Sequence, residues 1–423
     1  MLKQIPVAEL QLGMFVHKFE GGWFDHPFWK AKFLIEDADR LAAIKASRVR
    51  SVVIDTEKGR DLAPSGATPT EPFAPPSPPA AARIRSIRQR TAVQLTATTP
   101  VSMAQELETA GAIAEKARER LNRAFIAARL GKALDVRKVE PVVSDILASV
   151  RRNPQAFSGL MRCKLKNEAV FRHALSVSAL MVALADRLKL PAQDIHNCGL
   201  AGLLLDIGVN YLPQASDPPG GDYRNLEARV WQSHVLLGHR ALRNDGDLPQ
   251  LVLDACLFHH ERMDGRGFPQ ACQGEEIPLV ARMAAICDTF DFHLTGSDRT
   301  QALDPAAAIA AMRADEGAFD AEILRAFIET VGFYPVGSFV ALSSKKLAMV
   351  IDEDRKDPMR PVVQAFYSFE TGERIRPYRI ALAHGNDNER ITGIADLTGL
   401  DLPDHAQLRE LVFLSAYRNH AEA

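Results

Sequence analysis

Between about residues 61 and 100 the chain carries eight prolines, including the run PFAPPSPPA, among Ser, Thr and Ala with almost no large apolar side chains. Proline fixes φ and donates no backbone hydrogen bond, so at this density the segment stays extended and closes no core. It is a linker, and folding must happen on either side of it. With 423 residues the chain has room for two or three domains. Before the linker, residues 1–60 alternate short apolar runs with turn signals, as in VRSVVIDTEKG, which predicts a small α+β or mostly β accessory module. After it, residues 101–152 hold good helix formers, as in AQELETAGAIAEKARERLNRAFIAARL. Their apolar spacing suits a dimer-forming helix or one packed on the next domain. Packing is the expectation, and a homodimer stays open.

Residues 153–330 are helical almost throughout. VFRHALSVSALMVALADRL, AGLLLDIG, EARVWQSHVLLGHRAL, LVLDACLFHHERMDG and IPLVARMAAICDTFDF each repeat apolar residues and end at Gly, Pro or Asn, which predicts a helical bundle. From 331 to 423, VGSFVALS, LAMVIDE and RPVVQAFYSF alternate every second residue, so a small β subdomain follows, with a turn-rich, briefly helical tail. The fold class expected is multidomain α+β: an all-α bundle between a small N-terminal α+β module and a small C-terminal β subdomain.

The chemistry concentrates in HHERMDGRGFP, residues 259–269. His259 and His260 precede Glu261 and Asp264, and then Gly265, Gly267 and Pro269 break any helix carrying the histidines. Imidazole with carboxylate suits Fe, Mn, Ni or Zn better than Ca or Mg. Seven of the twelve histidines (173, 196, 234, 239, 259, 260 and 293) fall within this helical region. His17, Asp25 and His26 have no further ligand types around them and read as surface and packing residues.

Composition excludes several classes. A net charge of -2 leaves no basic stripe for a nucleic-acid polymer and no polybasic membrane surface. No apolar run approaches the length of a membrane span, and MLKQIPVAEL lacks the apolar centre of a signal peptide, so no membrane insertion and a cytoplasmic location are expected. Five scattered cysteines without a CxxC pair fit a reducing compartment.

Residues 150–380 resemble the HD-GYP family, bacterial phosphohydrolases of cyclic di-GMP. The family pattern HHExxDGxGYP stands here as HHERMDGRGFP, and GEEIPLxARxxAIxDxxD as GEEIPLVARMAAICDTFD. Residues 1–60 are similar to an accessory module that often precedes the domain. The resemblance implies an HD-type bundle and a set of metal ligands, His173, Asp206, His234, His259, His260 and Asp288. It further implies two divalent metals sharing Asp206, which with Asp288 would also orient the attacking water. Gly267, Phe268, Pro269 and Arg299 are the implied substrate contacts, with the glycines admitting backbone N–H groups to the nucleotide and Phe268 stacking on a base. Glu168 stands where some members have an additional acidic ligand.

Two departures qualify this. The family's LLHDIGK is LLLDIGV here, so Leu205 replaces the HD histidine and Val209 the lysine that meets substrate phosphate. The set Asp206, His234, His259 and His260 is complete, whereas the other keeps His173, Asp206 and Asp288. One metal is then held tightly and the second more weakly. The resemblance implies a phosphodiesterase that opens cyclic di-GMP to linear pGpG and onward to GMP. The alternatives are a degenerate member that signals through nucleotide or protein partners, and a hydrolase of another phosphoester.

Overall fold

In a computed structural model of the chain, the described residues are 2–20, 33–35, 38–45, 51–56, 58–60, 99–129, 135–163, 169–213, 223–244, 248–297, 300–354, 356–384 and 389–418. They divide into two compact units, 1–88 and 89–423. Most of the proline-rich segment, Asp25, His26, Glu168 and Arg299, and the side chain of His17, lie outside the described residues.

The first unit is an antiparallel sheet of β1 (Leu2–Pro6), β2 (Phe15–Glu20), β3 (Phe33–Leu34) and β4 (Ser51–Asp55), ordered β1-β4-β2-β3, with helix α1 (Ala38–Lys45). Val52 and Ile54 on β4 are fully buried, as the alternation in SVVID requires, and join Ile5, Met14, Val16, Ile35 and Ile44 in one small core.

The second unit is an HD-type helical bundle with a β sheet at its C-terminal side. Its helices are α2 (Met103–Arg129), α3 (Glu140–Arg152), α4 (Ala156–Cys163), α5 (Ala169–Arg187), α6 (Ala192–Leu204), α7 (Ala228–Asn244), α8 (Gln250–Phe258), α9 (Leu279–Thr295), α10 (Pro305–Ala314) and α11 (Ala321–Val331). Strands β5 (Phe339–Leu342), β6 (Lys346–Asp352), β7 (Val362–Ser368), β8 (Glu373–Ala381) and β9 (Ile391–Ile394) form an antiparallel sheet ordered β8-β7-β6-β5-β9, and α12 (His405–Arg418) closes the chain. Gln364 donates from β7 to the Val412 carbonyl, and the Tyr417 hydroxyl donates to Ile351, so α12 is tied to the sheet.

α5 is apolar nearly all round and lies at the centre of the bundle, buried from Ala174 to Ala185. α6 crosses it closely: a Cβ on Gly202 would stand 2.8 Å from the Ser178 backbone. In α2 the buried positions are Met103, Glu106, Ala110, Ala114, Ala117, Leu121, Phe125 and Ala128, a stripe with steps of three and four. That stripe packs on α3, α4 and α5, so of the two uses predicted for this helix the packed one is found. Among the described residues no helix is long and apolar enough to cross a membrane.

Candidate metal centre

Five elements bring the six expected ligand types together. His173 lies in the second turn of α5, Asp206 caps the 3-10 turn Ile207–Tyr211 that follows α6, and His234 is mid-α7. His259 and His260 end α8, and Asp288 faces inward from α9. Glycine makes the convergence possible. A Cβ on Gly208 would stand 1.9 Å from the His234 carbonyl oxygen, and Gly238 faces Gly208 from α7. The turn carrying Asp206 can therefore lie directly on the helix carrying His234.

The ligand atoms form two sets, Asp206 with His234, His259 and His260, and Asp206 with His173 and Asp288, each with its atoms within 4.8 Å of one another. His234 Nε2 lies 3.2 Å from Asp206 Oδ1, His259 Nε2 lies 3.4 Å from the same oxygen, and the two nitrogens are 3.4 Å apart. Asp206 Oδ2 is 3.4 Å from His173 Nε2, which is 3.1 Å from Asp288 Oδ1. Ligand atoms on a tetrahedral centre with bonds of about 2.0–2.1 Å lie about 3.3–3.4 Å apart, and cis atoms on an octahedral centre about 2.9–3.0 Å. The observed spacings are those of ligands around an ion.

The protonation pattern agrees. His234 Nδ1 faces the Trp231 carbonyl at 2.7 Å, and His259 Nδ1 faces the carbonyls of Ala255 and Cys256 at 3.2 and 3.1 Å. A carbonyl only accepts, so each Nδ1 carries the proton and each Nε2 turns a lone pair toward the cluster. His173 is set in the same way by Asp291, whose Oδ2 is 2.8 Å from His173 Nδ1. Asp206 Oδ1, His173 Nε2 and His260 Nε2 are buried without a hydrogen-bond partner. With these imidazoles neutral, lone pairs point at lone pairs in a buried site, which a cation between them would satisfy. Burial pulls the His173 imidazolium down, yet Asp288, Asp291 and Asp206 hold its pKa well above the ordinary value. Burial would raise the Asp206 carboxyl, but His234 and His259 hold it well below the usual carboxylate range. His260 is driven far down by burial, then by His259 and His234, and stays neutral.

The two acids of HHERMDG do other work. Glu261 is buried and accepts the backbone N–H groups of Gln270 and Cys272 at 2.7 and 3.1 Å, which fixes the loop. Asp264 pairs with Arg262 and accepts Arg266 N–H at 3.0 Å. Gly267 folds back on the histidine segment, where a Cβ would lie 2.5 Å from the His260 carbonyl oxygen. Phe268 stacks on His260 at 4.7 Å between centroids, and Pro269 beside it is half-buried. Trp231 stacks on His234 at 4.1 Å. Trp231 and Asp291 carried no sequence expectation, although Asp291 ends the quoted DTFD stretch. The stack of Trp231 on His234 is an i,i+3 pair on α7, so the spacing in WQSH was its linear signature. His196 is buried, with Ser144 Oγ 3.5 Å from its Nε2, and His239 and His293 are half-buried; none of these joins either set.

A sequence family described as an HD domain matches residues 151–323, and a domain of unknown function, DUF3391, matches residues 2–139. A cyclic di-GMP phosphodiesterase of Pseudomonas aeruginosa is 36% identical over 397 residues, covering 93% of this chain and 92% of that protein. The chain belongs to the HD-GYP family. A cyclic di-GMP phosphodiesterase response regulator of Xanthomonas campestris is 31% identical over 32% of this chain and 36% of that protein. A 3'3'-cGAMP-specific phosphodiesterase of Vibrio cholerae is 35% identical over 22% of this chain and 18% of that protein. HD-domain phosphohydrolases bind divalent metals, and the donor set here, imidazole lone pairs around an ionised carboxylate, fits such ions.

Both HD-GYP departures are now located. Leu205 is 1% exposed within the main core, and its carbonyl accepts from the Cys256 thiol. Val209 is buried in a satellite cluster with Leu212 and Leu226, against Trp231. Each replaced polar position is absorbed into apolar packing.

Proposed function

We propose that this HD-GYP chain is a cytoplasmic, metal-dependent phosphodiesterase that hydrolyses cyclic di-GMP to linear pGpG and onward to GMP. The observation that supports it most is Asp206, whose Oδ1 faces His234 and His259 while Oδ2 faces His173, the posture of a carboxylate shared by two ions. Asp206, His234, His259 and His260 would hold one ion tightly, and His173, Asp206 and Asp288 a second more weakly, from among Fe, Mn, Ni or Zn. Such ions supply positive charge to a phosphodiester and lower the pKa of a water.

The chain's residues supply the rest. Asp288 and Asp206 would orient the attacking water. His173, fixed by Asp291, presents its Nε2 rather than its N–H. Trp231 and Phe268 cover two of the imidazoles and keep bulk water from them. The loop of Gly267, Phe268 and Pro269, together with Arg299, is our candidate for contacts to the nucleotide.

A second reading, a signalling protein that binds nucleotide or protein partners without turnover, is favoured by Leu205 and Val209, which put no polar group into the site. The test is anaerobically prepared, Mn- or Fe-loaded chain incubated with cyclic di-GMP, and separately with 3'3'-cGAMP, followed by chromatography, with His260→Ala alongside. Linear product that the variant does not form supports the enzyme, and the better substrate defines its selectivity. Folded, metal-loaded chain that forms no product from either nucleotide leaves the second reading.

A further inference from the structure

The metal centre has no ligand on α2, yet α2 borders two of the elements that supply one. The 3-10 turn Ile207–Tyr211, which Asp206 caps, lies between α7 on one side and α2 on the other. On the α7 side it is in backbone contact through Gly208, where a Cβ would stand 1.9 Å from the His234 carbonyl oxygen. Toward its C-terminal end, α2 also places Phe125 against Phe171 of α5, with rings stacked at 5.4 Å and 20°. Phe171 stands two residues before His173, in the first turn of α5, where intrahelical hydrogen bonding is incomplete and tertiary contact sets the position. α2 thus touches both the turn that follows Asp206 and the residue two before His173.

α2 is itself held firmly at its other end. Glu106 is 1% exposed and takes Arg152 of α3 at 2.6 and 2.7 Å and the Ser149 hydroxyl at 2.7 Å. A buried, fully satisfied pair of this kind fixes position more than it adds stability. The helix also has a double allegiance: the DUF3391 match runs from residue 2 through 139 and so includes α2, while packing places α2 in the second unit.

We propose that Phe125 is a positioning residue for the metal centre, and that α2 holds Asp206 and His173 in register through the 207–211 turn and Phe171. The inference rests on reading the cluster as a metal centre. It makes α2 the part of the N-terminal sequence family that reaches the chemistry.

The test uses the full chain with Phe125→Ala and the milder Phe125→Leu, against Phe413→Ala as a matched control. Phe413 is similarly buried, in α12, which packs chiefly on α4 and the C-terminal sheet and is remote in sequence from every ligand. Metal affinity is read by competition with a chromophoric chelator, the coordination by the absorption spectrum of cobalt-loaded protein, and stability by thermal melting. The expected result is metal affinity about tenfold weaker in both Phe125 variants, with an altered cobalt spectrum, the loss typical of removing a residue that orients a ligand. Phe413→Ala should melt lower yet keep wild-type affinity and spectrum. Wild-type affinity and spectrum in Phe125→Leu, or equal losses in Phe413→Ala, would overturn the proposal alone. A wild-type chain that takes up no metal would overturn it together with the reading of the site.

Discussion

The two sides of Asp206 are built to different standards. On the Oδ1 side, three imidazoles converge, two of them with their protons parked on backbone carbonyls and two of them under aromatic rings. On the Oδ2 side stand one imidazole and one carboxylate, and the place of a further histidine is taken by Leu205 inside the core. A site with four protein ligands is nearly complete by itself, whereas one with three leaves open positions for water and substrate. The difference teaches where the departure from the HD-GYP pattern falls: on the side with three candidate ligands, leaving the four-ligand set whole.

The strongest way to break the comparison is Asp206→Asn, which removes the charge common to both sides. Metal analysis should find neither ion retained, and any diesterase activity should fall by roughly a thousandfold or more. Glu261→Gln acts on the Oδ1 side only. An amide offers one oxygen where the carboxylate uses two, so one backbone N–H loses its acceptor, the loop and Phe268 loosen over His260, and kcat/KM should fall about thirtyfold with a lower melting temperature.

Leu205→His sharpens the contrast from the weak side. It restores a ligand type where one is missing, and bound metal should rise toward two ions per chain with about tenfold tighter binding of the second. Val209→Lys is the counter-case. It puts a charge into the apolar cluster under Trp231 and should destabilise the fold by about 2 kcal/mol on denaturant titration, with no gain in turnover.

The smallest effect is one of pH. In the metal-free site His173 and His259 have pKa values raised above the ordinary imidazole value, because the carboxylates of Asp288, Asp291 and Asp206 outweigh burial for the first and that of Asp206 does so for the second. Raised values mean that protons occupy the site near neutrality and must leave when metal enters. Calorimetry in buffers of different ionisation enthalpy should detect release of on the order of one proton per ion, and affinity should climb with pH until His173 has titrated.

The ligand candidates were legible through the motifs that resemble the HD-GYP pattern: HHERMDGRGFP with its histidine pair, LLLDIGV with Asp206, and GEEIPLVARMAAICDTFD with Asp288. The roles of the neighbours were not. Glu261 and Asp264 read as metal-ligand types by composition, yet both carboxylates are occupied with the loop's own backbone. Gly267 and Phe268, which the family resemblance makes substrate contacts, also pack against His260, a contact their spacing did not show.

The sequence alone determined the helical periodicity and the alternating strands at both ends, because these depend on residue spacing along one element, while the six ligand candidates came from the resemblance of its motifs to the HD-GYP pattern. Only the tertiary structure decided that Asp206 turns one oxygen to each set, that Asp291 and Trp231 stand behind the ligands, and that Leu205 and Val209 are core. Those facts depend on how closely separate helices approach, which is set by packing between residues far apart in the chain.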